Sequence, residues 1–271
     1  MNNLLCRLAV LCNLLIFCTP YSLAETVQGE GSANASPEPE ATSRIDPFVE
    51  LLIRQASDYL SLTDSLMVHT ESTVEEVLSS GQKLQLSRSA DVLVRQPDRL
   101  RVEVTSDRGV TRYYYDGKTM SRFDLEGNVY ARVDVPDTIE AALDHAMERF
   151  RIDAPLADFF AGDLYDNLLG NAEMAFYAGL HYLEGEKYHH LALSNGNVNY
   201  QVWIAEGTAP LIRKVVITYK NLEGSPQFIA MLSGWDFDPL APDMLFDFYP
   251  PVDADKIEYL PVATPAGEVK Q

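Results

Sequence analysis

Three histidines sit close together in the second half of the chain, His181, His189 and His190. Imidazoles at that spacing raise the question of a metal site. The residues around them alternate as a strand does, however. Adjacent side chains of a strand point to opposite faces, so His189 and His190 cannot grip one ion. Packing or surface histidines are the expected reading. A second group is acidic: Asp236, Asp238, Asp243, Asp247, Asp253 and Asp255. A tight calcium loop orders its carboxylates as D-x-D-x-D-G, and that order is missing. Solvated turn carboxylates are expected instead. The three cysteines, Cys6, Cys12 and Cys18, all fall in the first 24 residues. Thiolates clustered at one end cannot build a zinc site spread along a folded domain. No G-x-S-x-G, H-E-x-x-H or phosphate-loop pattern occurs. A glycosidase-type carboxylate pair is defined by its separation in space, which a sequence does not display. No nucleophile and base can be paired by name. The expectation is therefore a protein that is not an enzyme, with no catalytic residue, metal ligand or cofactor.

The compartment is more legible than the chemistry. Met1 to Arg7 is a short segment with one positive charge, and Leu8 to Phe17 is a mostly apolar run of ten residues. Ser22-Leu23-Ala24 supplies a small–x–small cleavage site. Together they predict a secretory signal over residues 1–24, cut after Ala24. The apolar run is well short of the ~20 residues a transmembrane helix needs. Lipid anchoring at Cys18 or Cys12 needs a small preceding residue, and Phe17 and Leu11 are bulky. Cleavage takes Arg7 and no acid, so the formal charge moves from −19 to −20. It also removes every cysteine, so no disulfide can support the processed chain. At 271 residues the chain is long enough to bury roughly 70–75% of its unfolded surface. Such an acidic protein is a poor phosphate-backbone binder, which excludes nucleic acid as a partner.

Residues 25–44 are rich in Gly, Ser, Ala, Pro and Glu and read as a disordered acidic linker. Asp46-Pro47 then opens a helix, with Asp as N-cap and Pro at the first helical position. Phe48, Leu51, Leu52, Gln55, Ala56 and Tyr59 mark its predicted buried face. From about Leu66 to Val135 the period changes to two. A two-residue turn at Asp116-Gly117 sets Tyr115 opposite Lys118 and Tyr113 opposite Met120. A turn at Glu126-Gly127 sets Met120 opposite Val133 and Arg122 opposite Ala131. A loop over Ser106 to Gly109 sets Val102 opposite Tyr113. Opposed residues share a face. One face then collects Leu100, Val102, Val104, Tyr113, Met120, Val129, Ala131, Val133 and Val135. The other collects Arg99, Arg101, Glu103, Arg112, Ser121, Arg132 and Asp134. Arg122 and Asp124 fall on the apolar side, where the sheet is expected to fray near its turn. Val110, Phe123 and Tyr130 form an apolar patch on the polar side.

Asp137 is the expected cap of the next helix. Ile139, Ala142, Leu143, Ala146, Met147 and Phe150 give it one apolar face. Pro155 to Leu169 reads as one or two short helices. Strands return from Gly179, with Val198–Ile204, Leu211–Tyr219, Phe228–Trp235, Met244–Tyr249 and Lys256–Val262 among them. Runs of antiparallel strands with helices inserted indicate an α+β fold. One apolar face makes the sheet curl around the helices.

Three segments resemble a known group. They are Pro97 to Glu103 running on to Tyr115-Asp116-Gly117-Lys118-Thr119, then Pro210-Leu211-Ile212-Arg213-Lys214, and Phe246 to Ala254. The chain resembles a predicted periplasmic family of unknown function, grouped with the lipoprotein carriers of the LolA/LolB superfamily. The likeness covers roughly residues 45–262 and leaves 263–271 as a disordered tail. It implies an unclosed half-barrel of about 11 antiparallel strands with helices covering the concave face. It also implies a cavity for acyl chains and a periplasmic location.

The functional expectation is a secreted binding or carrier protein holding a lipid, acyl chain or lipoprotein. Its candidate cavity residues are Leu100, Val102, Val104, Tyr113, Met120, Val133, Ile139, Leu143 and Met147. The alternative is an envelope scaffold with a fully packed core, contacting a protein partner through its polar face or the Val110/Phe123/Tyr130 patch. Val102→Trp separates the two.

Overall fold

The computed structural model describes residues 44–150, 152 and 154–259. The expected signal, nearly all of the linker, the tail and residues 260–262 of the last expected strand lie outside them. The elements run α1 (Pro47–Leu60), β1 (Ser65–Val77), β2 (Lys83–Arg95), β3 (Arg99–Ser106), β4 (Gly109–Tyr115), β5 (Thr119–Asp124) and β6 (Val129–Asp134). There follow α2 (Ile139–Phe150), α3 (Ala157–Phe160), α4 (Leu164–Leu169), β7 (Met174–Leu183), β8 (Glu186–Ser194), β9 (Val198–Ala205), β10 (Ile212–Tyr219), β11 (Gln227–Asp236) and the two-residue β12 (Asp255–Lys256).

All twelve strands form one sheet, ordered β12-β6-β5-β4-β3-β2-β1-β11-β10-β9-β8-β7. Each neighbour is antiparallel except β12, which lies parallel to β6. The sheet is an open, curved half-barrel of α+β class. Six strands precede α2.

The register follows the turns. Val102 faces Tyr113 and Val104 faces Thr111, as the Ser106–Gly109 loop requires. Met120 faces Val133 and Arg122 faces Ala131. The middle hairpin departs from the expectation: Tyr115 lies opposite Met120, and Tyr113 opposite Arg122. The cause is Asp116, whose carboxylate accepts the backbone N–H groups of Lys118 and Thr119 at 2.9 and 2.7 Å and the Thr119 hydroxyl at 2.8 Å. That clamp puts Asp116 before the turn and leaves Gly117 and Lys118 at its tip. Gly117 takes φ +87°, which favours glycine. The partner shift is two residues, so every side chain keeps its face.

Asp124 and Val129 remain paired, so the sheet does not fray at Arg122 and Asp124. These two half-buried side chains approach each other to 3.7 Å as an ion pair. In α1 the buried face is Val49, Leu52, Ile53, Ala56 and Ser57, while Phe48 and Leu51 are exposed. The face is turned from the expected one because Ser57 anchors the α3–α4 connection. Its hydroxyl donates to Asp163 at 3.3 Å and accepts from the Tyr165 N–H at 3.4 Å. Thr138, not Asp137, caps α2, its hydroxyl accepting the Ala141 N–H at 3.3 Å. One apolar cluster joins the buried faces of α1 and α2 to the inner residues of the strands.

Met244–Tyr249 is not a strand. A 3-10 turn at Asp243–Leu245 leads into an irregular segment. Arg95 ion-pairs with Asp243, and its guanidinium lies 5.2 Å from the Phe246 ring centroid. Phe248 packs at 5.3–5.7 Å from the rings of Tyr114, Phe123 and Tyr130. Arg132 donates to its carbonyl. The segment is thus a strap across the convex face, from the β11 side to β6, and it delivers β12 to its partner. Phe246 and Phe248 alternate with polar residues because one side of the strap is buried, which is why the pattern mimics a strand.

Candidate functional site

The concave side of β1–β5 does not pack fully against the helices. A cavity of about 180 Å³ remains there. That exceeds the roughly 150 Å³ engineered apolar void known to admit benzene. Its floor is buried: Leu100, Tyr115, Met120 and Ile139. Val102, Val104, Tyr113 and Leu143 form half-buried walls, and Ile152, Pro155, Leu156 and Phe160 roof it from the chain beyond α2.

Seven of the nine candidate residues line this cavity: Leu100, Val102, Val104, Tyr113, Met120, Ile139 and Leu143. Val133 and Met147 do not. Val133 sits on β6, beyond β5, where the inner face has passed the cavity. Met147 is half-buried near the far end of α2. The structure adds residues that the β3–β6 pattern did not reach, chiefly Thr70 and Ser72 on β1, Arg88, Ala90 and Val92 on β2, and Phe228 on β11. The β2 wall had a usable signal. Leu86, Arg88, Ala90, Val92 and Val94 are every second residue, and Ser79-Ser80-Gly81 is a turn pattern before them. Phe228 had none, because β11 joins β1 across more than 150 residues of chain.

Two tyrosine hydroxyls near the inner face differ in their partners. The Tyr115 hydroxyl donates to the Pro136 carbonyl at 2.6 Å. Burial, with Asp98 and Asp137 nearby, pushes its pKa up to about 12, so it stays a neutral donor. Tyr259 lies 5.2 Å from the Phe150 ring, and its hydroxyl is buried without a partner among the described residues. Burial, with Tyr113 close by, raises its pKa.

The other candidate groups are placed apart from the cavity. His189 meets the Tyr177 hydroxyl at 3.0 Å, while His190 stacks on Trp203 at 4.0 Å on the opposite face. Burial lowers the His190 pKa. Asp236, Asp238, Asp243, Asp253 and Asp255 are exposed, and Asp247 is half-buried. Phe123 and Tyr130 are a cross-strand pair, and their rings, which the scaffold alternative would offer to a partner, are covered by the chain's own Phe248. No helix among the described residues is long and apolar enough to cross a membrane.

The family described as "Predicted periplasmic protein (DUF2092)" matches residues 50–260. The chain belongs to this family. It is thereby one of a group of predicted periplasmic proteins. The chain is similar to an uncharacterised conserved protein from Thermus thermophilus, with 10% identity over 78% of this chain and 99% of that one, at a TM-score of 0.46. It is similar to the lipoprotein LppX of Mycobacterium tuberculosis, with 16% identity over 72% and 98% of the two chains and a TM-score of 0.46. A LolA superfamily protein from Nitrosomonas europaea matches with 12% identity over 73% and 97%, at a TM-score of 0.34. Among curated proteins none matches.

Proposed function

We propose that this is a non-enzymatic periplasmic binding or carrier protein whose concave cavity takes an acyl chain, of a free lipid or of a lipoprotein. The observation that supports this reading is an apolar cavity left between the concave sheet face and the helices. Small domains pack their interiors closely, with few voids larger than a water molecule. An apolar hollow of about 180 Å³, walled by valines and tyrosines and roofed by one helix and a short irregular segment, is a poor device for stability. It is a good one for an apolar guest. In this reading α2 and residues 154–157 act as the cover under which the guest enters.

A packed scaffold with no ligand is the less supported reading, for two reasons. Its core would have no such hollow, and the aromatic patch it would use is occupied by Phe248. Native mass spectrometry of protein purified from the periplasm, with fluorescence uptake of N-phenyl-1-naphthylamine, tests the proposal. A discrete lipid adduct, or saturable uptake of the dye, is expected. Bare polypeptide mass together with no dye uptake would refute it.

A further inference from the structure

One side chain at the cavity does not fit an apolar container. Arg88 lines it from β2, on the same face as Ala90 and Val92. The arginine is half-buried. The other half-buried arginines among the described residues each face an acid: Arg95 with Asp243, Arg99 with Asp98, Arg101 and Arg112 with Glu103, Arg122 with Asp124, Arg213 with Glu184. The Arg88 guanidinium has neither an ion pair nor a hydrogen-bond acceptor among the described residues. Its neighbours directly across the sheet are Ser72 and Ser106. The next inner-face residues on its own strand are Leu86 and Ala90. The chain has 40 acids against 21 basic residues, so a cation left without an acid stands out. A half-buried charge held without a partner loses hydration and gains nothing in return.

Its position has a direction. Burial rises along the inner row from Arg88 through Ala90 to Val92 and Val94, which are 7% and 1% exposed. Val94 lies opposite Leu100 on the cavity floor. Six residues of strand span about 20 Å. The cavity therefore has a cationic rim and an apolar depth. A guanidinium presents a planar fork of donors that matches a carboxylate or phosphate, and the Ser72 hydroxyl lies on the same rim.

We propose that Arg88 anchors the head group of the guest, so the cavity takes an amphiphile with an acyl tail and an anionic head, carboxylate or phosphate. This inference rests on the binding reading above and narrows it. The chain's negative charge sharpens selection, because an anion finds little welcome elsewhere on the surface.

The test is displacement of N-phenyl-1-naphthylamine by dodecanol, dodecanoate and 1-dodecanoyl lysophosphatidate. It uses protein purified from the periplasm, wild type and Arg88→Gln. The wild type should prefer at least one of the anions over dodecanol by about tenfold, the share of one charge-assisted hydrogen bond. Preference for dodecanoate identifies a carboxylate head, and preference for lysophosphatidate a phosphate head. Arg88→Gln should bring that preference to within about twofold, and its melting temperature should stay within about 2 °C of wild type or rise. If dodecanol binds as tightly as both anions, or Arg88→Gln keeps the preference, the head-group assignment falls and the cavity reading stands. If the wild type takes none of the three, both fall.

Discussion

Val102→Trp distinguishes a hollow from a packed core. Val102 is half-buried on the cavity wall, between Val92 of β2 and Tyr113 of β4. In a filled interior the added indole would force neighbours off their rotamers, at a cost of about 1–3 kcal/mol. A domain of this size loses roughly 2–4 °C per kcal/mol, so the melting temperature would fall by about 2–12 °C. The hollow beside Val102 measures about 180 Å³. An indole entering it displaces no side chain and buries its own apolar surface. The melting temperature should stay within about 2 °C of wild type or rise. The same ring occupies the guest's place, so dye uptake should weaken by at least about tenfold, the effect of ~1.4 kcal/mol. Calorimetric melting and dye titration on one preparation read both quantities. A clear fall in melting temperature with uptake unchanged would refute the reasoning, since the tryptophan would then have met packed side chains away from any guest.

Phe248→Ala should separate the two faces of the sheet. The ring is 7% exposed and covers Tyr114, Phe123 and Tyr130, so its loss should cost about 3 kcal/mol and lower the melting temperature by roughly 6–12 °C. Dye uptake by the folded protein should persist, and its disappearance at temperatures where circular dichroism reports a native fold would count against the placement of the site. The pH dependence of stability should carry a signature of His69. Its imidazole lies within hydrogen-bond distance of Asp91 at 2.7 Å and Glu71 at 3.1 Å, and these contacts raise its pKa. A raised folded value means that this contribution is complete below the unfolded value of about 6.5 and is lost as pH climbs through the folded value. Urea midpoints of wild type should therefore decline from about pH 6.5 upward, and His69→Gln should flatten that stretch; equal slopes in the two proteins would dismiss the assignment. The ring is 38% exposed, so the amplitude is small.

What the sequence revealed follows the range of the interactions concerned. The β3–β6 meander was legible because its turns are two to four residues long, and face assignments survive even a two-residue shift. The Asp116 clamp was not, because a side chain that accepts two backbone N–H groups redefines where the turn starts. Seven cavity residues followed from face parity and from the period of α2. Arg88 lay on the next strand, within reach of the same parity argument had the Ser79-Ser80-Gly81 turn been registered. The strap was hidden for a different reason. Phe246 and Phe248 alternate like a strand, and only contact with rings more than 100 residues away shows that they cover a sheet and do not extend it.

An open sheet ends in two exposed ladders, and unpaired ladders invite strands from other molecules. Here both ends are blunted. At one, β12 offers only two residues to any newcomer, one of them Lys256. At the other, β7 shifts register between Tyr177 and Gly179, where Gly179 takes φ +118°, and its start is already engaged by Ile45. A bulge of this kind bends the strand away from a flat template. The half-barrel can thus stay unclosed without becoming a seed for filament growth.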